Sequence, residues 1–206
     1  MPRPLLIGMA RSVYVRIARL VALEKGVALD REELDPFVAG GPPASYLTLN
    51  PFGKIPTLRH GELVLYETQA IAAYLDEAFP GPALQPADPV QRARMRQIQG
   101  IVDSFAYRPM VWGLYVALNE GLRDAAAIER AQNDARRPLH ALERLASHPW
   151  LLGDALTLAD CHLAPVLGYM LKEPEGRVLL REAPKLAAWW EGCRSRDGWP
   201  AVLDAR

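Results

Sequence analysis

The chain has 206 residues, 50% of them hydrophobic, which is enough for one large domain or two smaller ones with real cores. Its 24 basic and 24 acidic side chains cancel, which argues against the basic surface that nucleic-acid binding asks for. No apolar run approaches a membrane span or a secretory signal, and Cys161 and Cys193 fit neither a metal spacing nor a disulfide framework, so a cytoplasmic protein free of membranes is expected.

In chain order, Arg3 to Ile7 reads as a short buried strand. Val13 to Lys25 follows with helical spacing at Val13, Ile17, Leu20, Val21 and Leu23, and Gly26 stops it. Val27 to Asp30 reads as a second strand, and Pro42 to Leu49 as a short irregular helical piece. Thr57 to Arg59 and Leu63 to Leu65 flank His60-Gly61-Glu62, which predicts a hairpin turning at Gly61 with His60 at its tip. Glu67 to Phe79 is helical. The proline-rich run from Phe79 to Pro89 can continue neither helix nor strand and reads as a linker. Beyond it the period is helical over Val90 to Leu118, Asp124 to Leu145, Leu158 to Leu171 and Pro184 to Arg194. Thr157-Leu158-Ala159-Asp160 has the spacing of a capping box. His60, His140, His148 and His162 share no metal-ligand spacing, so no metal is implied.

The most informative residues are Asn50-Pro51-Phe52-Gly53-Lys54-Ile55-Pro56-Thr57-Leu58 and Tyr66-Glu67-Thr68-Gln69-Ala70. Pro56 stands directly before a strand, where its missing N–H is tolerated only at an edge, a strand start or a turn. With a cis Ile55–Pro56 bond, the Ile55 N–H and C=O would face outward, where an extended peptide can pair with them. The second run opens a helix, whose first N–H groups lack internal partners and carry partial positive charge suited to a carboxylate. A peptide-pairing edge beside an anion-binding helix start suits a small acidic peptide.

These two runs, the strand and helix ending at Glu24-Lys25-Gly26, the linker, and the capping box after Trp150-Leu151-Leu152-Gly153-Asp154 together resemble a glutathione transferase of the bacterial, serine-type kind. The resemblance implies a thioredoxin-like N-terminal domain (βαβ then ββα, residues 1–80), a linker at 81–89, and an all-helical C-terminal domain at 90–206. It implies that glutathione is held as co-substrate, with no cofactor, and that its thiolate is delivered to an electrophile in a detoxification reaction; isomerase, dehalogenase and peroxidase chemistry use the same thiolate. A free thiol with pKa near 8.5 is mostly protonated at neutral pH, and lowering it by about two units takes about 2.7 kcal/mol.

Counting back from Glu24-Lys25-Gly26 puts Ser12 at the family's catalytic serine position; a serine there can also be a plain helix cap. The family's usual proline after that serine is Val13 here. By the same resemblance Lys54, Ile55, Pro56, Glu67 and Thr68 hold glutathione, with Ile55 pairing to the cysteinyl unit, Lys54 meeting the glycyl carboxylate, and Thr68 replacing the usual serine at the γ-glutamyl carboxylate. Arg11, Tyr14, Tyr107, Arg108 and Trp112 are candidates for the electrophile pocket, Tyr14 also for a substitute hydroxyl, and Pro109 for a helix kink. A two-fold homodimer is expected. A binding protein that keeps the scaffold without catalysis is the rival reading, and thiol-disulfide exchange is disfavoured because no cysteine precedes residue 161.

Overall fold

The computed structural model describes residues 2–121 and 124–205. The chain divides into two compact units, residues 1–83 with 201–206, and residues 84–200. The helix Trp199–Leu203 (α10) thus straddles the boundary, and Arg16, fully buried in the first unit, donates to the Ala205 carbonyl oxygen.

The first unit holds a four-stranded sheet ordered β2-β1-β3-β4. β1 (Leu5–Ile7) runs parallel to β2 (Asp30–Glu32) and antiparallel to β3 (Thr57–His60), which pairs with β4 (Leu63–Tyr66). Helices α1 (Val13–Glu24) and α3 (Thr68–Ala78) pack on each other, and a single turn, α2 (Ala44–Leu47), precedes the Asn50–Leu58 run. This is the thioredoxin-like arrangement. The expected second strand at Val27–Asp30 lies three residues too early: β2 is Asp-Arg-Glu, exposed throughout. It is an edge strand, and charged side chains on an edge discourage pairing with another chain, so it carries no apolar signature. Gly61, at φ 60°, supplies the hairpin turn. His60 is not at its tip. It belongs to β3 and is buried, with Nε2 donating to the Pro2 carbonyl oxygen at 2.9 Å and Nδ1 2.6 Å from the Tyr74 hydroxyl.

A buried ion pair ties this unit together. Lys25 Nζ, just past α1, lies 3.1 Å from Asp76 Oδ1 of α3, with both side chains at most 5% exposed. The same ammonium donates to the Pro82 and Gly81 carbonyl oxygens at 2.8 and 3.4 Å, which accounts for its two remaining donors.

The second unit is helical: α4 (Pro89–Ile101), wide-turned stretches at Val102–Ala106 and Arg108–Val116, α5 (Ala117–Asn119), α6 (Ala125–Leu145), α7 (Leu158–Met170), α8 (Pro174–Leu180) and α9 (Pro184–Ser195). α8 and α10 escape the sequence reading because runs of seven and five residues are too short to show a period. α7 is apolar on every side and buried over nearly its whole length, as a central helix must be. Its capping box is formed: the Thr157 N–H donates to Asp160 Oδ2 at 2.8 Å. Asp160, wholly buried, also accepts from the Leu151 N–H and the Trp189 indole, at 2.9 and 2.8 Å. Burial pushes its carboxyl above the usual range, and these donors pull it part of the way back.

Candidate functional site

Strand register decides which sequence motifs meet. Thr57, the first residue of β3, lies opposite both Ile7, the last of β1, and Tyr66, the last of β4. The segments beyond those three residues therefore gather at one end of the sheet: Met9 to Ser12, Lys54 to Pro56, and Glu67 with Thr68. Two helices, α1 and α3, begin at that same end, so two sets of unpaired N–H groups and two positive dipole ends converge there.

Ser12 is the N-cap of α1, in extended conformation, and its Oγ accepts from the Val15 N–H at 3.5 Å. That bond uses a lone pair and leaves the hydroxyl proton uncommitted, since Ser12 Oγ donates to no described residue. The serine therefore caps the helix and can still donate.

The Ile55–Pro56 bond is cis. Among the described residues, nothing pairs with the backbone N–H or C=O of Ile55. Gly8 makes room for this turn: a Cβ there would fall 3.0 Å from the Ile55 Cβ and 2.7 Å from Val15 Cγ2, both too close. The turn is held from behind by side chains that the sequence reading did not single out. Asn50, 2% exposed, donates from Nδ2 to the Lys54 carbonyl oxygen at 2.8 Å and to Thr57 Oγ1 at 3.3 Å, and accepts from the Phe52 N–H at 3.1 Å. Tyr46, also buried, donates to that same Lys54 carbonyl, so the proton in its 2.8 Å contact with Thr57 comes from the threonine. Only the spacing Tyr46, Asn50, Thr57 could have signalled this knot, and polar residues at such spacing are common. The Lys54 side chain is exposed.

Glu67 has φ 70°, the only described non-glycine residue in the left-handed region. Such a conformation costs on the order of 1–3 kcal/mol and persists where the surroundings impose it. Glu67 precedes Thr68 at the start of α3, where no side chain caps the helix. Thr68 is buried, and its hydroxyl bonds to no described residue. This helix start is thus left open.

The proposed pocket residues are distributed over both units. Arg11 is exposed, with Nη2 3.1 Å from Asp35 Oδ2 and Nε 3.0 Å from the Met9 sulfur, so its charge is shared with a surface carboxylate. Tyr14 is half-buried in the first turn of α1. In the second unit, Tyr107, Arg108 and Trp112 lie where the helix widens: the Tyr107 N–H bonds to the Val102 carbonyl and the Ala117 N–H to the Trp112 carbonyl, each five residues back. Residues five apart diverge on an α-helix but come together on a π-helix, and Trp112 Nε1 donates to the Tyr107 hydroxyl at 3.0 Å. Burial raises the Tyr107 phenol's pKa, and that bond partly offsets it. Pro109 sits in this widened segment. Arg108, Pro109, Trp112, Gly113 and Asp134 line a cavity of about 400 Å³. His162, buried on α7, pins the segment through Nε2 to Asp103 at 2.8 Å. Among the described residues no cluster of His, Cys, Asp and Glu could hold a metal ion, and no helix is long and apolar enough to cross a membrane.

A thioredoxin-like unit followed by a helical unit, with an open helix start and an unpaired backbone edge at one end of the sheet, defines a class of two-unit proteins. Residues 6–83 match the family model for the glutathione S-transferase N-terminal domain, and residues 106–197 that for the C-terminal domain. The chain is 33% identical to glutathione S-transferase F14 of Arabidopsis thaliana over 187 residues, covering 85% of this chain and 73% of the plant protein. It is 34% identical to a stringent starvation protein A homolog of Coxiella burnetii over 156 residues, 75% of this chain and 70% of that one. The theta class glutathione S-transferase of Xanthomonas axonopodis pv. citri, solved with glutathione bound, superposes with a TM-score of 0.82 at 29% identity, over 100% of this chain and 99% of that one. The chain belongs to the glutathione S-transferase family.

Proposed function

We propose that the protein binds glutathione and transfers its thiolate to a small electrophile. The observation that carries this reading is the convergence, at one end of the sheet, of the Ser12 hydroxyl, the unpaired Ile55 backbone and the open start of α3 at Thr68. Each meets one part of a γ-glutamyl tripeptide. The Ile55 N–H and C=O pair with the cysteinyl unit as one more strand would. The N–H and hydroxyl of Thr68 hold the γ-glutamyl carboxylate, while Glu67 faces the ligand's amino group. Lys54 meets the glycyl carboxylate. Ser12 donates to the sulfur, where the dipole of α1 adds to thiolate stabilisation.

The electrophile is held by the Arg108 and Trp112 cavity, where an aromatic wall suits an apolar body and the guanidinium a polarised or acidic group. The working form is a homodimer. Replacing Thr68 with valine tests the binding half of the proposal: loss of a hydrogen bond to a charged group, about 1.5–3 kcal/mol, weakens glutathione at least about tenfold by calorimetry. Unchanged affinity would place the carboxylate elsewhere.

A second reading, a binding protein without catalysis, has two observations in its favour: Val13 follows Ser12 where serine-type members have proline, and several relatives bear the name of a starvation protein instead of a transferase. Glutathione binding without turnover of any model electrophile would select it.

A further inference from the structure

A second polar cavity lies on the other side of β1, between α1, β1 and the edge strand β2, and the reading above does not use it. Its geometry follows from the register. Leu6 of β1 is aligned with Arg31 of β2, and side chains two apart on a strand share a face. Leu6 and Arg31 thus sit side by side, and Gly8 and Ala10 just past β1 and Glu33 just past β2 line the same cavity. Val15 and Arg19, four apart on α1, roof it. Between these residues a cavity of about 240 Å³ remains. Liquid water occupies about 30 Å³ per molecule, so there is room for several waters or for one tetrahedral or carboxylate anion.

The charges around this cavity are unbalanced. Arg19 carries five donors and bonds to no described residue, and its Nη1 is closed off from solvent without a partner. A buried unmet donor of this kind calls for an explanation, an ion among them. Arg31 makes no ion pair among the described residues either, and Glu33 lines the cavity without pairing to either guanidinium. Burial, then the neighbouring charges of Arg31 and Arg16, push the Arg19 guanidinium below its ordinary value, with Glu33 acting in the opposite sense. The space is one in which positive charges repel and an anion would relieve them.

We propose that the cavity between α1, β1 and β2 binds a small oxyanion, phosphate or carboxylate, held by Arg19 and Arg31 against the opposing charge of Glu33. The planar guanidinium fork matches both oxyanions with paired hydrogen bonds. Glu33 competes with the ligand for the same two arginines, so it sets the affinity from within.

The test is calorimetric titration of the full chain, without glutathione and at fixed ionic strength held with sodium chloride, by inorganic phosphate in one arm and succinate in the other. Saturable binding in either arm is expected, and the tighter arm identifies the oxyanion. Arg19→Met should weaken it at least about tenfold, Arg31→Gln severalfold, and Glu33→Gln should strengthen it. Arg31 and Glu33 are exposed, so their variants keep the test alive if Arg19→Met does not fold. No saturable heat in wild type and Glu33→Gln, or equal affinity in wild type and the arginine variants, overturns the proposal. Glutathione affinity, measured alongside, should stay unchanged in Arg31→Gln, which separates this site from the thiol site.

Discussion

Asn50 is the clearest place to test whether the loop that presents Ile55 is positioned from behind. Its side chain makes three hydrogen bonds, to the Lys54 carbonyl, Thr57 Oγ1 and the Phe52 N–H. At a net 0.5–1.5 kcal/mol each, Asn50→Ala should cost about 2–3 kcal/mol, because Lys54 and Thr57 keep their bonds to Tyr46 and are not orphaned. Asn50→Asp is the sharper variant. It keeps the acceptor for Phe52 but turns lone pairs toward the Lys54 carbonyl and toward a threonine oxygen whose proton already goes to Tyr46, and it buries a charge. It should destabilise at least as much as alanine. Denaturant unfolding gives the stabilities, and calorimetry with glutathione gives the functional reading. Affinity should fall about tenfold in both variants as Ile55 loses its position, while the pKa of bound thiol stays put, since Ser12 is untouched. An aspartate variant more stable than the alanine one, or full glutathione affinity in Asn50→Ala, would refute the reasoning.

Lys25→Met removes the cationic partner of buried Asp76 and should cost about 3–5 kcal/mol in denaturant unfolding, with part recovered when Asp76→Leu is added. Asp160→Ala removes the acceptor of the Leu151, Thr157 and Trp189 donors together and should cost about as much; in that background Trp189→Phe should lose most of its own effect, as a double-mutant cycle will register.

What the sequence disclosed depended on whether a residue's role was local. The Thr157 and Asp160 box and the Gly61 turn act on neighbours within a few residues, and each was legible. Pro56 and Thr68 were legible as special positions for the same reason. β2 was misplaced because an edge strand needs no apolar alternation, and His60 because its partners, Pro2 and Tyr74, are distant in sequence. The support behind Ile55 was hidden likewise: Tyr46, Asn50 and Thr57 look like loop residues until the chain folds back. The widened turns at 102–116 leave no pattern, since hydrophobic spacing in a short stretch does not separate a π-helix from an α-helix.

The central claim is that Ser12 donates to the sulfur of bound glutathione, and the direct measurement is the pKa of that thiol, from thiolate absorbance titrated against pH in wild type and Ser12→Ala. In wild type the bound thiol should titrate about two units below its free value of about 8.5, and in Ser12→Ala it should return most of the way, with turnover at neutral pH falling about ten- to a hundredfold and glutathione affinity little changed. The same low pKa in both proteins would contradict the account, leaving Ser12 as the cap of α1 and Tyr14 as the next hydroxyl to remove.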